Sequence, residues 1–249
     1  MPNRLRFDVA YDGVPFAGWQ SQKNGNTIQD LLENSFAAVT RAKVRVHGAG
    51  RTDAGVHALA QTAHADLPHR TLTPARWTDA LNASLPPTIR VLRCRYVTAA
   101  FHARFSAIGK IYRYRIWNAR ILPPLEYGRT WHVPADLDFD LMMTEAEAFV
   151  GEHEFAAFSA NRGKPVEDTV RTIQSVRMRQ KGSCVTIEFA GNGFLYKMVR
   201  LMVGALVECG RGKAPAGLIR ERLRIDNRSS ACGKFVAPAA GLFLVRVRY

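Results

Sequence analysis

The sequence predicts an α+β protein made of two halves with one topology. Three observations support this. Segments with strand-like period-2 alternation are interleaved with segments of helical period. Their order reads βαββαβ before about residue 105 and again after it. Apolar residues make up 47% of 249, enough to bury a sizeable core. The halves share element order and no evident sequence, and the expected domains are 1–105 and 106–249.

In the first half, Leu5, Phe7 and Val9 alternate with Arg6 and Asp8 as a strand, and residues 13–25 read as a loop. Thr27 caps a helix with Asp30 three residues on, placing Ile28, Leu31, Leu32, Phe36 and Val39 on one face. Residues 44–46 and 61–66 are short strands flanking a glycine-rich loop. Pro74 suits the first turn of a second helix that runs through Leu81, and 89–97 is a strand. In the second half, 106–117 is a long strand and 139–150 a helix. A strand pair at 173–179 and 184–189, a helix at 196–207 and a last strand at 243–247 complete it. Residues 121–125, 210–213 and 227–234 are loops by composition.

Charge narrows the partners. Lys+Arg total 35 against 21 Asp+Glu, a net charge of +14, and 27 of the cations are Arg against 8 Lys. Guanidinium forks match phosphate oxygens and stack on bases, so nucleic acid is the expected partner. Arg90, Arg93, Arg95, Arg104, Arg113, Arg115, Arg120 and Arg129 are interleaved with Phe101, Phe105, Tyr112, Tyr114 and Trp117, a mixture that suits RNA. The balance excludes an acidic, disordered chain. The longest apolar run, 198–207, contains Arg200 and falls far short of the roughly 20 residues that span a bilayer. No secretory signal opens the sequence, and a cytoplasmic protein is expected. Cys94, Cys184, Cys209 and Cys232 lie far apart without zinc-binding companions, and reduced thiols are expected.

The densest chemical signal is the stretch 48–58, Gly-Ala-Gly-Arg-Thr-Asp-Ala-Gly-Val-His-Ala, between two short strands. Small residues let backbone approach a ligand, and Arg51 and Asp53 are held near one another. Guanidinium charge favours an ionised carboxylate, which suits a nucleophile or weak base and not a general acid. His57 reads as a polar or RNA-facing loop residue and His64 as a strand residue. No metal-binding spacing surrounds either, and neither a dinucleotide fingerprint nor a phosphate loop occurs. No cofactor and no metal are expected.

Several motifs in order resemble the tRNA pseudouridine synthase A family. They are Tyr11-Asp12-Gly13, Phe16-Ala17-Gly18-Trp19-Gln20, the 48–58 loop, Phe101-His102-Ala103-Arg104-Phe105-Ser106-Ala107, and Lys110-Ile111-Tyr112-Arg113-Tyr114. Gly191-Asn192-Gly193-Phe194-Leu195-Tyr196-Lys197-Met198-Val199-Arg200, then Val203-Gly204, then Ala237-Pro238-Ala239-Ala240-Gly241-Leu242 continue the match. The pattern departs at Ala60, where a glycine is expected before Gln61.

The resemblance implies two RRM/ferredoxin-like halves whose antiparallel sheets join, with the active site in a basic central cleft. It also implies a homodimer acting on the anticodon arm of tRNA at positions 38, 39 and 40. Asp53 falls on the family's catalytic aspartate. It acts either covalently, at C1′ of the ribose or C6 of the base, or as a base that draws the 2′ proton. Both routes remain open. Tyr112 matches the tyrosine stacked on the target base, Arg200 the arginine paired with the aspartate, and Leu242 the apolar residue that closes the pocket. Arg51 matches the RNA contact that helps hold the nucleotide out of the stack. A non-catalytic RNA-binding protein with paired RRM-like domains is the alternative, and an R-G-F-G-F-V-type run that would favour it is absent.

Overall fold

The computed structural model describes residues 3–23, 25–160, 168–224 and 235–249. The expected loop at 227–234 and Cys232 lie outside them. The protein is mixed α+β, with five α-helices among the described residues. Its contacts divide it into two units, Met1–Ile108 with Phe243–Tyr249, and Gly109–Leu242.

In the first unit, β1 (Arg4–Tyr11) lies between β4 (Ile89–Val97) and β3 (His57–Asp66), antiparallel to both. The other edge of β3 is shared. β2 (Val46–Gly48) pairs antiparallel with residues 63–65, and β10 (Leu242–Arg248) pairs parallel with His57 and Ala58. Helices α1 (Ile28–Thr40) and α2 (Pro74–Ser84) are capped by Thr27 and Thr73, whose side chains accept from the amides of Asp30 and Arg76. Phe7, Phe36 and Trp77 form the centre of the core, with ring centroids 5.4 and 5.6 Å apart. The polar face of β1 is not solvated as alternation alone suggests. Arg6 and Asp8 are buried, Arg6 beneath the rings of Tyr249 and Phe101, and Asp8 between the Thr62 hydroxyl and Arg93.

In the second unit, β5 (Gly109–Trp117), β9 (Cys184–Gly191), β8 (Val170–Lys181) and β7 (Gly151–Glu154) pair antiparallel in that order. The two-residue β6 (Trp131–His132) lies parallel to β5. Tyr114, Ile116, Ile187 and Phe189 face a core shared with α3 (Phe139–Glu147) and with Phe149, Phe155 and Phe158. The helix α4 (Met198–Gly210) is apolar on all sides and buried except at Arg200 and Glu208. A short α5 (Leu218–Arg224) buries only Ile219. No helix among the described residues is long and apolar enough to cross a membrane.

The expectation of purely antiparallel sheets is corrected by the parallel β3–β10 and β5–β6 pairs. Neither pair is joined by a tight hairpin, and a long connection permits either direction. Several bounds also shift. The strand expected from residue 106 starts at Gly109, because 103–106 close a turn. The helix expected to reach 150 stops at Glu147, ahead of β7. The strand expected at 61–66 begins at His57, where β10 supplies its ladder.

Candidate active site

The Asp53 loop is held from three directions. On one side, the Trp19 amide donates to the Thr52 carbonyl at 3.0 Å, while Gly18 and Trp19 carbonyls accept from the Ile28 and Gln29 amides at the start of α1. Those two amides would otherwise be orphans of the helix terminus. On the second side, the Gln61 amide group donates to the Gly50 carbonyl at 2.9 Å, and the Ala49 amide to the Thr62 carbonyl. Within the loop, the Val56 amide donates to the Asp53 carbonyl at 3.1 Å, a turn that presents the Asp53 side chain half-buried.

Gly18 is required by this arrangement. Its φ is +98°, and a Cβ there would lie 2.8 Å from the Thr52 carbonyl oxygen and 3.0 Å from the Ala54 nitrogen. The Thr52 hydroxyl, buried between the two candidate residues Arg51 and Asp53, bonds the Tyr11 hydroxyl at 2.8 Å. Arg51 itself is exposed.

His57 is corrected from a loop or RNA-facing residue to the buried first residue of β3. Its ring stacks on Phe243 with centroids 4.5 Å apart, and its Nδ1 accepts from the Gly13 amide at 3.1 Å. The same atom lies 3.2 Å from an Asp12 carboxylate oxygen. These contacts tie Tyr11-Asp12-Gly13 to the end of the Asp53 loop, a supporting role that no sequence periodicity announces.

Tyr112, Arg200 and Leu242 belong to the second unit. Tyr112 and Tyr114 share one face of β5, and Tyr112 meets Phe194 edge-on at 5.0 Å between centroids. Burial pushes the Tyr114 phenol far above its ordinary value, against a smaller opposing effect of the Arg200 charge. Tyr114 remains a neutral donor, and its hydroxyl bonds the Pro238 carbonyl at 2.7 Å. Arg200 holds the adjacent residue. Its Nε donates to the Ala237 carbonyl at 2.7 Å, and its own carbonyl accepts from the Ala237 amide at 3.1 Å. Tyr114 and Arg200 thus fix the segment that ends in the buried Leu242.

A chemically specific loop carrying Arg51 and Asp53 therefore stands in one unit, and Tyr112, Arg200 and Leu242 stand in the other. Thr52, Tyr11, Gly18, Gln61, His57 and Tyr114 are the supporting residues that sequence reasoning left without a role in this site. The Tyr11 and Gly18 motifs were visible as family segments, but their contacts depend on chain crossings.

Comparison with known proteins is consistent along the chain. A family model described as tRNA pseudouridine synthase matches residues 9–106 and 146–249. A tRNA pseudouridine synthase A of Akkermansia muciniphila is 48% identical over 254 residues, covering 99% of this chain and 95% of the relative. One of Solidesulfovibrio magneticus is also 48% identical, over 99% and 91% of the two chains, and one of Methylacidiphilum infernorum is 42% identical over 98% and 94%. With both the family model and full-length relatives in agreement, the chain belongs to the tRNA pseudouridine synthase family and is an isomerase that converts uridine to pseudouridine.

Proposed function

We propose that the chain isomerises uridine in the anticodon arm of tRNA, at positions 38, 39 and 40, with Asp53 as the catalytic carboxylate. The observation that carries this reading is the Asp53 loop. Its carbonyls at Gly50, Thr52 and Asp53 are all engaged by the surrounding chain, so the carboxylate is presented from a fixed backbone. Isomerisation breaks the N1–C1′ bond and forms the C5–C1′ bond; the C5 proton leaves and N1 takes one up, so the nucleotide keeps its composition.

In this reading Arg200 pairs with Asp53, and Tyr112 stacks on the uracil and assists removal of the C5 proton. Leu242 closes over the base, excluding water that would otherwise capture the detached sugar. Arg51 contacts the RNA and helps hold the nucleotide out of its stack, at a cost of a few kcal/mol that phosphate contacts offset. Support for those contacts comes from the solvent face of β8, where Arg177, Arg179 and Lys181 are exposed. Two RRM-like halves and a homodimer, both on family resemblance, and a cytoplasmic location complete the proposal.

Asp53→Asn tests it. Turnover should fall at least about 10³-fold, roughly 4 kcal/mol in barrier, while affinity for tRNA stays near that of the unaltered protein. Pseudouridine in treated tRNA, mapped by mass after derivatisation at the N1–H that uridine lacks, reads both the rate and the positions. Retained turnover would remove Asp53 from the mechanism.

A further inference from the structure

Apart from the Asp53 loop, the first unit holds a ladder of four rings with no role in the reading above. Phe105 packs on His102 with centroids 4.4 Å apart and planes tilted by 31°, His102 meets His64 at 4.7 Å, and His64 stacks on His47 at 5.0 Å. His64, third in the ladder, is buried, whereas His47 at one end is exposed and Phe105 at the other is 77% exposed. The Arg104 guanidinium lies 5.5 Å from the centre of the Phe105 ring.

The backbone beneath Phe105 is pinned. The amides of Arg104 and Phe105 both donate to His102 Nδ1, at 3.1 and 3.3 Å, and the Ala103 amide donates to His64 Nδ1 at 3.1 Å. His102 and Ser106 bond reciprocally, the His102 amide to the Ser106 hydroxyl and the Ser106 amide to the His102 carbonyl. Arg4 donates to the Ala99 and Phe101 carbonyls, and the Tyr249 hydroxyl to that of Ala103. The turn therefore presents a large apolar ring to water from a fixed backbone. Preorganisation means that covering it costs little further ordering.

We propose that Phe105 is a stacking platform for an unpaired base of the RNA substrate, other than the uridine that is isomerised, with Arg104 as the adjoining phosphate contact. One exposed aromatic ring matches the size of a base and falls well short of the roughly 800 Å² per partner of a protein interface. A guanidinium at its rim complements a phosphate, and every base offers a π-face. The proposal rests on the RNA-modifying reading above.

The test uses the full chain and an unmodified tRNA transcript, with binding measured separately from turnover. Phe105→Ala should weaken binding roughly 5- to 150-fold, the range expected for loss of one base–aromatic stack. Phe105→Trp should recover it. The thermal midpoint should not move, since an exposed ring leaves no cavity. The log–log salt slope should be unchanged in Phe105→Ala and should shrink by about 0.7 to 0.9 in Arg104→Met. Binding of Phe105→Ala within twofold of the unaltered protein overturns the proposal. So does a loss that Trp fails to recover, or one accompanied by a changed mass in solution, which would mean that Phe105 docks on a second copy. Absence of pseudouridine with the unaltered protein would sink the enzymatic reading alone, because the binding comparison is read without turnover.

Discussion

Arg200 sits on a helix where every other residue but Glu208 is buried, and its Nε bond to Ala237 anchors the segment leading to Leu242. Arg200→Met keeps the apolar stem but leaves a carbonyl without its donor, which costs about 1–3 kcal/mol. Both the thermal midpoint and kcat should fall, and a stable, fully active Arg200→Met would refute the role given to this side chain. Lys is a poor substitute, because an ammonium has no Nε–H and no planar fork. Gly18 acts at the same scale from the other unit. Gly18→Ala forces a Cβ toward the Thr52 carbonyl at a φ that disfavours it, so Asp53 shifts although its own identity is intact. A displacement of about 1 Å can cost on the order of 10²-fold in rate, and kcat of Gly18→Ala should drop by that order while tRNA affinity changes little.

Among the elements, α4 and the 235–241 segment form a close contact at Gly204. A Cβ there would run into the Phe235 carbonyl. Helix propensity alone favours Ala over Gly by about 1 kcal/mol, whereas overpacking against backbone costs about 1–3 kcal/mol. The clash should win, and Gly204→Ala should lower the melting temperature.

The inner strand β3 makes a different prediction, in pH. Burial first, then the Arg4 charge and the other two histidines, push His64 down from 6.5 to about 4. The unfolded chain takes up this proton as pH falls below 6.5, while the folded chain resists until about 4. His64 therefore contributes stability above 6.5 that is lost progressively as pH falls toward 4. In His64→Gln, whose side-chain oxygen can still accept from the Ala103 amide, the slope of stability against pH over that window should flatten. An unchanged slope in urea titrations would contradict the assignment.

The whole molecule carries a charge of +14, dominated by Arg. Its log affinity for tRNA should fall linearly with log salt, by about 0.7 to 0.9 per phosphate neutralised, and a steep slope is expected at this charge. A flat dependence, measured across a salt series with one transcript, would mean that the positive surface serves another purpose.

Legibility in the sequence followed the range of the interactions involved. α1 with its Thr27 cap, the exact bounds of β4, and the alternation that places Tyr112 and Tyr114 on one face of β5 are set within a few residues, so periodicity and capping sufficed. The Asp53 loop was visible because glycine and charge are concentrated in eleven adjacent positions. α5, β6 and β7 were not, since elements of two to seven residues hold too little pattern to be read. The burial of Arg6, Asp8 and His57, the parallel placement of β10 beside β3, and the anchoring of Ala237 and Pro238 by Arg200 and Tyr114 were decided by tertiary structure alone. Those contacts join residues up to more than two hundred positions apart. Local propensity fixes what a segment can become, but only chain crossings determine which polar groups leave water and which carbonyl each one finds.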